Sequence, residues 1–261
     1  MRPGYEPTRR NRNIGTASRG HGRDNRMTIP EICHAERIWW EQLASYEVET
    51  LTVAGRDLTF VVEATRKDCV HSCSIGDICT ILACIPATDW DGLGAIILRQ
   101  SKRKEWLIAP SWGRLAFSAD IGKPGKPNIY SGPAIILEAV DPVERRTWGK
   151  HLSPVDLAEL DRLRDDGHRV QEEGKRFSLV STLEASRATQ LYRTLLHEIG
   201  HWVDWLERVE RPSRANSESY EALADKYFSR AGDERESFAH RYADAMRSRL
   251  IKAGVIPFSQ S

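Results

Sequence analysis

The feature that most constrains the fold is a change in hydrophobic period near residue 150. Before it, apolar runs of strand length alternate with turn-rich segments. After it, apolar residues recur at helical spacing over long stretches. Strands followed by helices are typical of an α+β chain rather than of alternating β-α units. The sequence therefore predicts an α+β fold, in which an N-terminal helix, a hairpin and a mixed or antiparallel sheet precede a helical half.

The first half contains several recognisable elements. "IPEICHAERIWWEQLASYE" predicts an amphipathic helix with Pro30 near its first turn, and "VETLTVAGRDLTFVVEA" predicts a β-hairpin. Ser74 is the expected cap of a short helix in "SIGDICTILACI". Three strand-like runs follow, "GAIILRQ", "LIAPSWGRLAFSAD" and "NIYSGPAIILEAV".

The second half is expected to be mainly helical. Ser153 and Pro154 are the cap and first residue of a helix that ends near Gly167. "QEEGKRFSLVS" is expected to be a loop or an edge strand. Three further helices are predicted, at roughly Leu183–Glu210 with Pro212 ending it, at Asn216–Gly232, and at Asp233–Gly254.

Charge divides the chain unevenly. Residues 1–26 contain seven arginines and two acidic residues, and the remainder has 31 basic and 35 acidic groups, about −4 in net charge. This predicts a disordered basic arm at 1–26 and an acidic globular part that bulk charge does not favour for nucleic-acid binding. The globular part is expected to divide at 27–148 and 149–261, with one compact domain as the alternative. No apolar run is long enough for a membrane span or a signal peptide, which predicts a cytoplasmic protein or one exported without a cleaved signal. A nucleic-acid partner is not expected, although the arginine-rich arm could make a weak contact with one.

The chemically most informative segment is "LLHEIGHWVD" in the predicted long helix. Residues four apart lie one helical turn above each other, so His197 and His201 can bind one metal ion. Glu198 lies to one side, where it can take a proton from metal-bound water. Gly200 costs a helix interior ~1 kcal/mol relative to alanine, which predicts that another element passes close. The pattern predicts a catalytic Zn2+ site. The alternative is a helix with ordinary buried histidines.

These residues alone do not identify the third zinc ligand. Glu207 lies too far around the helix from the histidines, and Asp204 is better placed for a salt bridge or a second-sphere contact. Glu236 and His240 share a face of the last predicted helix. Asp233 and Glu236 also form a capping-box pattern, a purely structural alternative for Glu236.

"LLHEIGHWVD", followed about 35 residues later by "ESFAHRYADAM", resembles the gluzincin arrangement of an HExxH helix and a Glu on a following helix. The pattern is most similar to the catalytic domain of anthrax lethal-factor-like metallopeptidases, and less so to ImmA/IrrE-type metallopeptidases. The resemblance covers roughly Thr194–Met246. It implies a zincin-like helical half, Glu236 as the third zinc ligand and an oxyanion-stabilising tyrosine. Tyr227 is the nearest match, two positions out of register. Tyr220 and Tyr242 are lesser candidates, and a core aromatic is the alternative for Tyr227.

Together these features predict a zinc metallopeptidase that binds one Zn2+ through His197, His201 and Glu236. Glu198 assists the attack of zinc-bound water on a peptide bond. The expected partner is a protein or peptide substrate, and the sequence does not indicate the oligomeric state. One alternative is an ImmA/IrrE-like regulatory protease of a single partner. Another is a non-catalytic binding protein whose zinc has a fourth protein ligand.

Two further segments have open interpretations. "PAIILEAV", Pro133–Val140, is the candidate edge strand that pairs with extended substrate, and a buried central strand is the alternative. The cluster "CVHSCSIGDICTILAC" could hold a second zinc ion, but its spacing favours small buried thiols. Its candidate ligands are Cys69, His71, Cys73, Cys79 and Cys84.

Overall fold

The computed structural model describes residues 39–102, 111–122, 126–143, 145–149, 151–215 and 219–258. The predicted basic arm and the start of the predicted helix at Pro30 lie outside these ranges. Trp39–Gln42 forms strand β1, so the helix prediction is wrong for this part of the segment. The strand pairs with a segment far along the chain, and this tertiary contact overrides the local helical spacing.

Six strands form a mixed sheet in the order β1-β5-β6-β4-β3-β2. The further strands are β2 Tyr46–Val53, β3 Arg56–Glu63, β4 Ala95–Arg99, β5 Gly113–Gly122 and β6 Tyr130–Glu138. β2 and β3 form the predicted hairpin through a turn in which both Ala54 and Gly55 have positive φ. β4 runs parallel to β3 and β6, whereas β5 and β6 are antiparallel.

The position of β6 corrects one prediction. It lies between β5 and β4 and pairs with both, so "PAIILEAV" is not an edge strand. Its side chains from Ala134 to Glu138 are all buried. An unbroken apolar run of this kind is typical of a strand covered on both faces, and the central-strand alternative is the correct one.

Helices α1 Ile75–Cys84 and α2 Pro154–Asp165 have the predicted caps. Ser74 and Ser153 each form a capping box with the aspartate three residues later. A 3-10 turn, Ala87–Asp89, follows α1. The last two helices are α6 Tyr220–Ser229 and α7 Gly232–Lys252.

The predicted long helix is continuous from Leu183 to Ala215 and contains two π-helical turns. Its segments are α3 Leu183–Thr189, the π turn Gln190–Thr194, α4 Leu195–Trp205, the π turn Leu206–Glu210 and α5 Arg211–Ala215. Pro212 does not end the helix as predicted. It is the second residue of α5, and the helix continues for three residues beyond it, to Ala215. The two π turns flank the segment that carries the HExxH motif.

A second, three-stranded sheet has the order β7-β9-β8, with β7 Arg145–Gly149, β8 Arg169–Glu173 and β9 Arg176–Val180. The segment expected to be a loop or an edge strand is therefore a hairpin whose second strand, β9, is central. β7 pairs with β9 across the predicted division between 148 and 149.

The main hydrophobic core lies between the six-stranded sheet and the helices. Phe60, Ile96 and Leu137 of the sheet belong to the same buried cluster as Leu195 and Ile199 of α4. Ile38–Ser261 forms one compact unit, and its strands precede a mainly helical half, which confirms the α+β class. Within the described ranges, none of the helices has both the length and the apolar character that a bilayer crossing requires.

Candidate metal centre

The HExxH segment lies in the middle of α4, on a turn surrounded by core residues. Leu195, Leu196 and Ile199 are fully buried. The side chains of His197 and His201 are each 14% exposed. The core packing fixes the orientation of this helical turn, and both imidazoles point towards the same neighbouring helix, α7.

His197, His201 and Glu236 form a three-donor cluster. The two Nε2 atoms are 3.1 Å apart. Oε2 of Glu236 lies 3.2 Å from Nε2 of His197, and Oε1 lies 3.5 Å from Nε2 of His201. Within the described part of the chain, this is the one group of His, Cys, Asp and Glu side chains with metal-binding spacing.

These distances fit a zinc ion. Tetrahedral zinc with ligands at ~2.0–2.2 Å places the ligand atoms roughly 3.3 Å from one another. Two imidazole nitrogens and one carboxylate oxygen are a typical catalytic donor set, and three protein ligands leave a fourth position for water or substrate. The geometry and the donor chemistry therefore both match the predicted ion.

The capping-box alternative for Glu236 does not match the structure. α7 begins at Gly232, one residue before Asp233, and its N-cap residue Ala231 makes no side-chain cap. The Asp233 carboxylate accepts a hydrogen bond from the backbone N–H of Glu234 instead. The Glu236 side chain is thus available to contact the histidines.

Gly200 lets α4 and α7 cross closely enough for this cluster to form. A Cβ atom on Gly200 would lie 2.9 Å from both the Cα and the carbonyl oxygen of Ala239, and 3.2 Å from Cβ of Tyr242. These neighbours are mainly backbone and cannot rotate away. The prediction that another element passes close to Gly200 is confirmed.

We expect Gly200→Ala to lower the free energy of unfolding by about 1–3 kcal/mol, because overpacking outweighs the ~1 kcal/mol that alanine contributes to helix stability. Denaturant unfolding of the metal-free protein measures this change. Gly232→Ala is the matched control, because nothing lies within 4 Å of the added atom. Equal stability of Gly200→Ala and the wild type would contradict the close crossing.

Glu198 is held beside the cluster by a strand. Its side chain is 7% exposed, and its Oε2 accepts a 2.7 Å hydrogen bond from the backbone N–H of Leu115 in β5. This contact is not predictable from the sequence, because it depends on how β5 packs against α4. Gly113 permits that packing, since a Cβ there would lie 2.9 Å from Cγ2 of Thr194.

The charges of the cluster affect one another. Burial raises the pKa of Glu198, and the neighbouring histidines and the Leu115 N–H oppose this rise. Hydrogen bonds from His197 and His201 hold the pKa of Glu236 well below its usual range. Burial lowers the pKa of His201, but contact with Glu236 and the charge of Glu198 outweigh it, so the net shift is upward. A metal ion that binds here replaces a proton, since ligand imidazoles must be neutral.

Tyr227, the sequence candidate for oxyanion stabilisation, lies in an aromatic cluster. It is 1% exposed and packs edge-on against Phe117, Trp205 and Phe228. These contacts match the alternative of a core aromatic. The two lesser tyrosine candidates also make contacts with other residues. Tyr242 donates a hydrogen bond to Asp89, and the ring of Tyr220 packs against Trp205.

The other ligand candidates also lie outside the three-donor cluster. Asp204 is fully buried and accepts hydrogen bonds from Arg208 and Arg230, in agreement with the predicted salt bridge. Glu207 is exposed on the helix surface. His240 lies beside the site, with its ring centroid 4.4 Å from that of His197.

The cysteine segment has no metal-binding spacing within the described residues. Cys69 and Cys73 are buried, whereas Cys79 and Cys84 are partly buried. Burial raises the pKa of the Cys73 thiol to about 12. These features agree with small buried thiols rather than with a second zinc site.

Comparison with protein-family models, with curated proteins and with solved structures finds no match to this chain.

Proposed function

We propose that this chain is a zinc-dependent metallopeptidase whose single ion is bound by His197, His201 and Glu236. The observation that carries the proposal is the spacing of the three donors, with the carboxylate of Glu198 held beside them by β5. When bound, zinc would supply Lewis-acid polarisation of the substrate carbonyl and a lowered pKa of water.

The protein groups around the ion would then carry the proton chemistry. Glu198 takes the proton of the attacking water, because its carboxylate lies beside the three donors. It then returns the proton to the leaving amine. The hydrogen bond from Leu115 leaves one of the two carboxylate oxygens, Oε1, for this transfer.

The open edge of β5 supports binding of an extended substrate. β1 pairs with β5 only from Ala119 to Gly122, so within the described residues no strand covers the outer edge of Gly113–Phe117. Leu115 directs its N–H to that edge, since it bonds to Glu198. A peptide that adds to this edge would pass the three donors. In this proposal β5 replaces β6 as the substrate-pairing strand.

The test is cleavage of a mixed peptide library by the zinc-loaded full chain, followed by mass spectrometry. We expect cleavage that stops on chelation and returns when zinc is restored. N-methylation of substrate amides next to the scissile bond should lower kcat/KM about tenfold or more, because it removes backbone hydrogen bonds. Chelator-resistant cleavage would contradict the proposal. A zinc-loaded protein that cleaves nothing would favour the single-partner or non-catalytic alternatives.

A further inference from the structure

Arg235 carries a positive charge that has no acidic partner in the described part of the chain. It precedes Glu236 in the first turns of α7 and is partly buried. Its guanidinium carbon lies 5.7 Å from the ring centroid of Tyr227 and 5.6 Å from that of Phe228. Its Nε is buried without a hydrogen-bond partner.

Three other buried or partly buried arginines among the described residues are paired with aspartates. Arg187 contacts Asp77, Arg193 contacts Asp166, and Arg230 contacts Asp204, each through hydrogen bonds of normal length. A guanidinium removed from water without a partner carries a desolvation cost that these pairs offset. Arg235 differs from them: it is only partly buried, and its guanidinium forms no ion pair within the described residues, so it can bind a further group.

The acidic residues next to Arg235 in the chain are engaged elsewhere. Asp233 accepts a hydrogen bond from the backbone N–H of Glu234. The Glu234 carboxylate contacts Arg230, and Glu236 contacts the two histidines. The guanidinium N–H groups of Arg235 therefore do not bond to these carboxylates, and they can bind a group that is not part of the described chain.

The position of Arg235 connects it to the candidate site. The aromatic rings beneath it, Tyr227 and Phe228, pack against Phe117 of β5. Phe117 follows Leu115, the residue that binds Glu198, by two positions.

We propose that Arg235 binds a carboxylate of the substrate beside the scissile bond. This inference rests on the proposed metallopeptidase function. The carboxylate belongs either to an Asp or Glu side chain or to the free C-terminus of a peptide, and the guanidinium can bind both in the same bidentate way. Aromatic stacking orients the guanidinium in advance. A carboxylate is favoured over a carboxamide because it is negatively charged and both of its oxygens accept hydrogen bonds.

The experiment uses pairs of peptide hydroxamates, whose metal-binding group stands in place of the scissile carbonyl. One set of pairs carries Glu or Gln at each of three successive positions. Another pair ends in a free carboxylate or a carboxamide. Calorimetry measures their affinity for the zinc-loaded full chain. We expect one acid to bind about 10- to 100-fold more tightly than its neutral partner, and the set in which this occurs identifies the source of the carboxylate.

Two variants test whether Arg235 causes the preference for the acidic hydroxamate. Arg235→Gln should remove the acid preference and leave the affinity for the neutral hydroxamate within about twofold. Arg241→Gln, an exposed arginine on the same helix, should keep it. Equal affinity for acid and amide in the wild type overturns the inference without any variant, as does a preference that survives Arg235→Gln. If no hydroxamate binds the zinc-loaded chain, the ion has no open position for a substrate, so the proposed catalytic function fails and the inference fails with it.

Discussion

Glu198→Gln is expected to abolish peptide hydrolysis while the fold and the metal content stay unchanged. Loss of a general base typically costs 10²–10⁴-fold in rate, and we expect kcat/KM to fall by about 10³-fold or more. Glutamine has nearly the same shape as glutamate, and its amide oxygen can still accept the hydrogen bond from Leu115. The variant therefore removes the proton acceptor and little else.

The measurement combines three readouts on one preparation: cleavage of the best library substrate, zinc per chain, and the unfolding midpoint. Glu207→Gln is the matched control, because Glu207 lies on the surface of the same continuous helix. It should behave like the wild type in all three. Normal turnover by Glu198→Gln would refute the role of Glu198 as base, even if zinc is present.

A shorter side chain at this position separates catalysis from structure. Glu198→Ala leaves the Leu115 N–H without its acceptor, and an unpaired buried donor costs about 1–3 kcal/mol. We therefore expect the alanine variant to be both inactive and less stable than the glutamine variant. This difference in stability would verify the contact between β5 and α4 independently of activity.

The parts of the fold that the sequence predicts well are those with local causes. Ser74 and Ser153 begin their helices because each side chain bonds within its own first turn. The hairpin at Ala54 and Gly55 is also local. In contrast, β1 pairs with a strand far along the chain, and no short-range pattern contains that information.

The candidate site divides in the same way. His197, Glu198 and His201 lie within little more than one helical turn, so their relative positions follow from helix geometry alone. Glu236 is predicted as the third ligand only from a family resemblance. Helix geometry alone cannot predict it, because its position depends on how α7 crosses α4 at Gly200. Leu115 contacts Glu198 through its backbone N–H. Every residue except proline has this group, so no residue type in the sequence indicates the contact.

Tyr227 shows the limit of carrying a role over by resemblance. The match was two positions out of register, and a helix turns by about 200° over two residues. In this chain the side chain packs with Phe117 and Trp205. Aromatic residues on an amphipathic helix are frequently core residues, so a spacing mismatch on a helix counts strongly against a shared role.

Glu236→Ala is expected to abolish zinc retention. The wild type should hold about one zinc per chain after purification without chelator. Changes to second-sphere groups alone weaken metal binding 10- to 100-fold, so loss of a direct ligand should weaken it by more than about 100-fold. Elemental mass spectrometry after dialysis measures the content, and competition with a zinc indicator measures the affinity.

Two control variants make this result specific. Glu234→Ala removes a carboxylate from the same helical turn, one that contacts Arg230 rather than the histidines, and it should retain zinc. His240→Ala should also retain zinc, because His240 lies beside the cluster but not in it. If His240→Ala loses the metal, a fourth protein ligand is present, and the site is structural rather than open for catalysis. If Glu236→Ala keeps its zinc, the assignment of the third ligand is wrong. If the wild type itself binds none, the contacts among the two histidines and Glu236 are an ordinary ion-pair cluster.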